Sequence, residues 1–425
     1  MKMLPPNPRP IEPRLAPHYH GLLTKYPPSA EEPRTQERAE ALIADAVQWK
    51  ASDLHIEPGN SETRIRLRVD GVLHDTAAIP NFSGHRLVAY FKTLSGIDAT
   101  MLARPEHGHG RLEAGDTRME LRTTVAPTPD GEMVGIRMLD TRRPQLRLDD
   151  LGMSGVDQSH LRTWLGQMQG MLLVSGPVGA GKTSTLYALL HELQMLPRSI
   201  ITVEDPVESS LDGITQIEVN AKRGLHFPEA IRAMLRLDPD FLLVGEIRDA
   251  ESAHVAITAA GSGHALLTTI HARDAAGAVT ALRNNGVKDW EICAALQVCI
   301  SQRLVRRLCG GCRTSAAPTE EEQQWFEQAA LAAPASLWQA KGCDACAGTG
   351  FDGRVGVFQI WRVTSDALHS ISRGEDEPAL NALAIQHGTQ TMLHDAIAKI
   401  STGLTSLSEI RALRGAGIPA ALSSS

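Results

Sequence analysis

Aromatic side chains are scarce in this chain, at 4% of its 425 residues. Surfaces that grip nucleic acid by stacking bases on rings are therefore not expected to dominate it. An excess of one charge is missing too. The formal net charge of −7 argues against a broadly cationic coat for nucleic acid and leaves room only for local basic patches. No run of about eighteen apolar residues occurs, so no membrane-spanning helix is expected. The stretch Met1 to Pro17 has prolines in place of an apolar signal core, so export is not expected either. Cysteines number six, and four of them form two C-x-x-C pairs, which suits a reducing compartment and a bound metal better than disulfides. The cytosol is the expected location.

What is present is an ordinary globular composition, 42% hydrophobic and 21% charged, on a chain long enough for two or three domains. Residues 1–30 carry repeated prolines and read as a mobile lead-in. Two histidines within it, His18 and His20, have a metal site or a solvated tail as their alternatives, and the tail is favoured. Residues 31–140 read as an α+β domain. Glu37 to Trp49 has helical apolar spacing. Arg64-Ile-Arg-Leu-Arg-Val69 alternates strictly and runs through Asp70-Gly71 into Val72-Leu73, a hairpin signal. Leu87 to Leu94 reads as helix, and Met119 to Val125 and Met133 to Leu139 as strands. Residues 141–150 read as a linker.

From 151 to 308 apolar strands alternate with helical patterns. The strands expected are Met171–Val174, Ile200–Val203, Phe241–Val244 and Ala265–Ile270, which together argue for an α/β fold with a largely parallel sheet. Ligands of such sheets sit beyond the C-terminal strand ends. Directly after the first strand stands Gly176-Pro177-Val-Gly179-Ala180-Gly181-Lys182-Thr183, followed by Ser184 and a helical run. This is G-x-x-x-x-G-K-[ST] in its strand–turn–helix setting. Glycines let the backbone wrap so that successive N–H groups and the helix N-terminus face one anionic centre. Lys182 can then reach the β- and γ-phosphates, and Thr183 can ligate Mg²⁺. A plain glycine-rich turn is the alternative, and phosphate binding is preferred over it.

The other strand ends carry Glu204-Asp205-Pro206-Val207-Glu208, then Gly245-Glu246-Ile247-Arg248-Asp249, and finally Thr269-Ile270-His271. Cleaving a phosphoanhydride needs an in-line water, a metal and a group that orients the water. Glu246 is best placed for the last role, Glu204 for sharing it, and His271 for contacting the γ-phosphate. Each alone is as well read as a polar strand cap, whereas three together behind a phosphate loop favour function. Gly245 stands where a metal-binding aspartate is usual.

Cys309-Gly-Gly-Cys312 and Cys343-Asp-Ala-Cys346 have the form of two zinc knuckles, with a helical excursion from Glu320 to Ala332 between them. A redox pair or free thiols are the alternatives, and structural zinc is favoured because no thioredoxin-like surround is visible. Cys293 and Cys299 lie in an apolar run read as helix and are expected in a core. Residues 309–360 are taken as the cysteine module and 361–425 as a helical end.

Taken together, these motifs resemble the ATPases of type II secretion and type IV pilus assembly. Ile200 to Glu208 is similar to their Asp box, Leu235 to Asp240 with Gly245 to Asp249 to their Walker B region, and Gly263-His264 through His271 to their His box. Ala51 to Pro58 and Arg68 to Leu73 are similar to their second N-terminal domain. The resemblance implies a RecA-like core behind a PAS-like domain, and a homohexamer using ATP and Mg²⁺. It also implies a peripheral place at the inner membrane, docked on a polytopic platform protein. It assigns Lys182 and Thr183 to triphosphate and Mg²⁺, Glu246 to the base, Glu204 to its assistance, and Arg122 and Arg137 to the nucleotide on domain closure. The tetracysteine element resembles assembly enzymes and not pilus-retraction relatives. Arg104-Pro-Glu-His-Gly-His109 departs from the usual R-P-Q-D-G-R, and Ala272-Arg273 from Thr-Asn. A slow regulatory switch and a nucleic-acid translocase are the alternatives in function.

Overall fold

The computed structural model describes residues 13–25, 34–100, 104–114, 117–140, 146–194 and 196–413. They fall into two compact units, one drawn from Met1–Pro144 with Gly342–Asp352, the other from Gln145–Lys341 with Gly353–Ser425.

The first unit is built on a six-stranded antiparallel sheet. Its strand order is Val72–Pro80, Glu62–Val69, Asp53–Pro58, Gly131–Asp140, Thr117–Thr128, Glu106–Ala114. Strict alternation decides which face is covered: Ile65, Leu67 and Val69 are buried, whereas Arg64 before them is exposed and Arg66 and Arg68 between them are half-buried. Asp70 and Gly71 turn the hairpin with φ of 49° and 85°, the left-handed pair that a two-residue turn requires. The covered face packs helices Thr35–Gln48 and Asn81–Leu94 through Leu42, Ile43, Leu87 and Phe91. The strand Glu106–Ala114 was not expected. Its period-two signal is broken by Gly108 and Gly110, and both glycines are needed there. A Cβ on Gly108 would lie 2.3 Å from the Ser95 carbonyl, and one on Gly110 2.6 Å from that of Leu94.

The expected mobile lead-in is corrected over its described part. Pro13–Leu15 is a 3-10 turn and Pro17–Lys25 a helix, with Leu15, Ala16 and Tyr19 fully buried. Buried Asp45 is the reason this proline-rich segment is helical. Its carboxylate accepts the backbone N–H groups of His18 (2.7 Å) and Tyr19 (3.0 Å), which are orphan donors of a helix start. His18 Nδ1 pairs with the same carboxylate at 2.8 Å, and His20 Nε2 with the Thr76 carbonyl at 2.9 Å. Neither histidine belongs to a solvated tail. Residues 1–12 and 26–30 of that reading lie outside the described residues, as do 141–145 of the linker, whose later part is a packed 3-10 turn around buried Leu148.

The second unit has a seven-stranded sheet ordered Phe351–Arg362, Leu296–Leu308, Gly170–Ser175, Ala265–Ile270, Phe241–Val244, Ile200–Glu204, Thr215–Glu218. From Leu296–Leu308 onward every pairing is parallel. Both faces are covered. Met171 and Leu173 enter one core and Leu172 and Val174 the other, and Leu242 and Leu243 divide likewise. Each such leucine contributes roughly 1.5–3 kcal/mol by leaving water. The apolar run expected as helix switches instead: Asp289–Ala295 is helical, and the next residue opens the strand that carries buried Cys299. Cys293 stays on the helix, half-buried, its thiol donating to the Leu368 carbonyl. With no loop between the elements, a continuous apolar run cannot be divided by periodicity.

Candidate functional site

At the C-terminal end of Gly170–Ser175 the chain turns through Gly176–Gly181 into helix Lys182–Leu193. Gly176, Gly179 and Gly181 have φ of 153°, 77° and 85°, all in the region that side chains resist. Space is restricted as well, since a Cβ on Gly176 would come within 2.6 Å of the Gln302 carbonyl. Pro177, Val178 and Gly179 form the exposed tip, Ala180 is buried, and Thr183 and Ser184 sit exposed on the first helical turn. Lys182 Nζ folds back onto the carbonyls of Gly176 (2.9 Å) and Pro177 (3.2 Å). Burial lowers its pKa, with Arg303 acting in the same direction and Glu246 opposing. A nearby anion would oppose that shift and favour the charged form.

The loop is also clamped from the neighbouring strand, by a residue that the motif does not contain. Gln302 Nε2 donates to the Ala180 carbonyl at 2.6 Å, and its Oε1 accepts from the Thr185 hydroxyl at 2.7 Å. Buried Arg303 beside it donates to the carbonyls of Gln302 and Arg273. Nothing in the sequence singles out Gln302, since the same strand also carries Gln297, Ser301, Arg306 and Arg307.

Glu204 ends its strand almost fully buried, and its carboxylate accepts from Tyr187 (2.5 Å), Thr202 (2.6 Å) and Gln216 (3.1 Å). Burial and the Glu204 carboxylate both raise the pKa of the Tyr187 phenol, so it remains a donor. Glu246 lies one strand over, where its Oε1 accepts from Arg248 and its Oε2 stands 3.8 Å from His271 Nε2. Arg248 also donates to Asp205 at 2.8 Å. Thr269 Oγ1 donates to the Gly245 carbonyl at 2.8 Å, fixing the turn that presents Glu246. A Cβ on Gly245 would lie 3.4 Å from Glu204 Cα, so an aspartate there would carry a second carboxylate toward Glu204. The second unit therefore gathers Lys182, Glu246 and His271, and ties Glu204 into a network of its own.

Arg122 and Arg137 belong to the first unit, directly opposite one another on adjacent strands, with Arg137 Nε 3.3 Å from Asp53. The in-register row Arg68, Asp53, Arg137, Arg122, His109 crosses that sheet on one face. Cys309 and Cys312 close one tight turn, the N–H groups of Cys312 and Arg313 donating to the Cys309 carbonyl at 3.3 and 3.0 Å, and Cys343 and Cys346 close another. A tetrahedral Zn²⁺ with Zn–S bonds of about 2.3 Å holds sulfurs about 3.8 Å apart, and Cys343 and Cys346 are separated by 3.7 Å. The backbone N–H groups of Cys343 and Gly350 donate to Cys346 Sγ at 3.2 Å. The donor set fits zinc. Between the knuckles, helix Glu320–Gln328 starts from a Thr319 capping box.

Comparison with known proteins places these features in a family. A family model described as "Type II/IV secretion system protein" matches residues 30–412. The chain is 38% identical over 370 residues to type II secretion system protein HxcR of Pseudomonas aeruginosa, covering 87% of this chain and 75% of that one. It is 34% identical over 388 residues to the type IV pilus assembly ATPase PilB of Thermus thermophilus, covering 91% and 44%. Its fold is shared with the solved ATPase DotB of Legionella pneumophila at a TM-score of 0.66 and 20% identity, covering 90% and 96%. The chain belongs to the type II/IV secretion system protein family.

Proposed function

We propose that the protein is a Mg²⁺-dependent ATPase of the assembly type, one that powers a type II secretion pseudopilus or a type IV pilus. The observation that carries this is the convergence of Lys182, Glu246 and His271 at adjoining strand ends around the Gly176–Thr183 loop. On binding, phosphate oxygens replace the carbonyls that Lys182 now contacts, and the loop amides with the start of helix Lys182–Leu193 hold the remaining charge. Thr183 would ligate Mg²⁺, which would supply neutralisation of the phosphate charge. Glu246 orients the attacking water, His271 contacts the γ-phosphate side, and Glu204 supports the strand end from its buried network. Arg122 and Arg137 supply positive charge as the transition state spreads negative charge over the γ-phosphoryl group.

The working form is a homohexamer that couples turnover to a polytopic inner-membrane platform protein. Among the described residues no helix is long and apolar enough to cross a membrane, so attachment runs through that partner. The cysteine cluster holds structural zinc and no catalytic metal.

Steady-state ATP hydrolysis by the full chain tests the reading. Lys182→Ala and Glu246→Gln should each lower kcat by about a thousandfold or more, and parental turnover in both would overturn the assigned roles. Elemental analysis should return about one zinc per chain, reduced in Cys309→Ser with Cys346→Ser. Absence of zinc from the freshly purified parent would refute the metal assignment.

A further inference from the structure

Glu246 is not alone at its strand end. The loops after two neighbouring parallel strands meet there, since Val244 pairs with Val203 and both chains continue into polar residues. Arg248 spans the gap. Its Nε and Nη2 engage Glu246 Oε1, its Nη1 donates to Asp205 Oδ2 at 2.8 Å, and its guanidinium stands over the Phe227 ring, 5.9 Å from the centroid. A guanidinium held on both sides in this way fixes the position of the carboxylate oxygen it engages. One carboxylate oxygen is thereby taken, and Oε2 remains as the acceptor on the side of His271. Burial by itself would lower the Arg248 pKa, but Glu246 and Asp205 outweigh it and raise it, so the fork stays charged.

We infer that Arg248, braced by Asp205, is a positioning residue that leaves Glu246 Oε2 aimed at the attacking water. The inference rests on the ATPase reading above and deepens it. Glu246 pivots on a flexible side chain, and a water-orienting carboxylate misplaced by about 1 Å can cost a hundredfold in rate. Asp205 and Arg248 are both partly exposed, so their pairing contributes little to global stability. Its contribution is to geometry.

The test is a set of full-length variants measured for kcat, KM and affinity for a fluorescent ATP analogue, with the thermal midpoint as the fold control. Arg248→Ala should lower kcat by at least about tenfold while leaving nucleotide affinity within about twofold. Arg248→Lys, which keeps the charge and loses the fork, should recover part of the loss. Asp205→Asn should act in the same direction and less strongly. Removing the guanidinium from Glu246→Gln should cost nothing further, because the group being positioned is already gone. A kcat within twofold of the parent in Arg248→Ala overturns the inference. So does an equal fractional loss of residual turnover, read with radiolabelled ATP, in the parental and Glu246→Gln backgrounds. Parental turnover in Glu246→Gln would instead defeat the underlying ATPase assignment, so the two failures are separate.

Discussion

In the antiparallel sheet Ile65, Leu67 and Val69 fill one core while Arg64, Arg66 and Arg68 line the opposite face. In the parallel sheet Met171, Leu172, Leu173 and Val174 are all buried, divided between two cores. A sheet with one open face can carry polar residues along the whole length of its strands. A sheet covered on both faces has room for them only at its ends. Charged chemistry in the second unit is therefore concentrated at the strand ends, at Lys182, Glu204, Glu246 and His271. In the first it spreads as a row, Arg68, Asp53, Arg137, Arg122 and His109.

The sharpest way to break this contrast is to shorten one residue from each pattern. Leu173→Ala should destabilise its unit by about 2–5 kcal/mol through lost burial and a residual cavity, whereas Arg64→Ala on the open face should stay within about 0.5 kcal/mol. Chemical denaturation with two probes, one in each unit, would read both, and a comparable cost at the two positions would refute the distinction.

Next in size is Gln302→Ala. This buried clamp leaves the Ala180 carbonyl and Thr185 hydroxyl without their partner, an expected loss of about 1–3 kcal/mol. ATP affinity should fall with it, because the loop loses its brace. Unchanged affinity by titration with a fluorescent analogue would show that the loop holds its own shape.

The smallest effect concerns Asp45 under helix Pro17–Lys25. Burial raises its pKa above the ordinary 3.8, although hydrogen bonds from Tyr19 and His18 oppose the shift. The folded chain thus holds this proton more firmly than the unfolded one. The resulting stability is fully present below about pH 3.8 and is lost as pH rises through the higher folded value. Asp45→Asn should flatten that part of the stability–pH curve, measured by denaturation between about pH 3 and 6, and an unaltered slope would remove Asp45 as its source.

Local pattern alone located the hairpin at Asp70-Gly71, four of the five inner strands of the seven-stranded sheet, the glycine-rich turn before helix Lys182–Leu193 and the two C-x-x-C pairs. Each is specified by neighbours within a dozen residues, through alternation, a glycine φ or a short spacing. The same local view misread 13–25, because a proline-rich segment becomes helical only when a distant carboxylate, Asp45, receives its first N–H groups. It placed Cys299 rightly in a core but on the wrong element, because a helix passing directly into a strand leaves no punctuation in an apolar run. It missed the Glu106–Ala114 strand, whose glycines answer to the Ser95 and Leu94 carbonyls of another element.

The site divides along the same line. Sequence determined that Lys182 and Thr183 follow a glycine-rich turn at a helix start and that Glu204, Glu246 and His271 end apolar strands, since each follows from its own few neighbours. Tertiary structure decided which carboxylate keeps an uncommitted oxygen. Glu204 is occupied by Tyr187, Thr202 and Gln216, whereas Glu246 keeps an open oxygen beside His271. Hydrogen-bond partners that arrive from other strands and helices are fixed by packing, and no spacing along the chain encodes them.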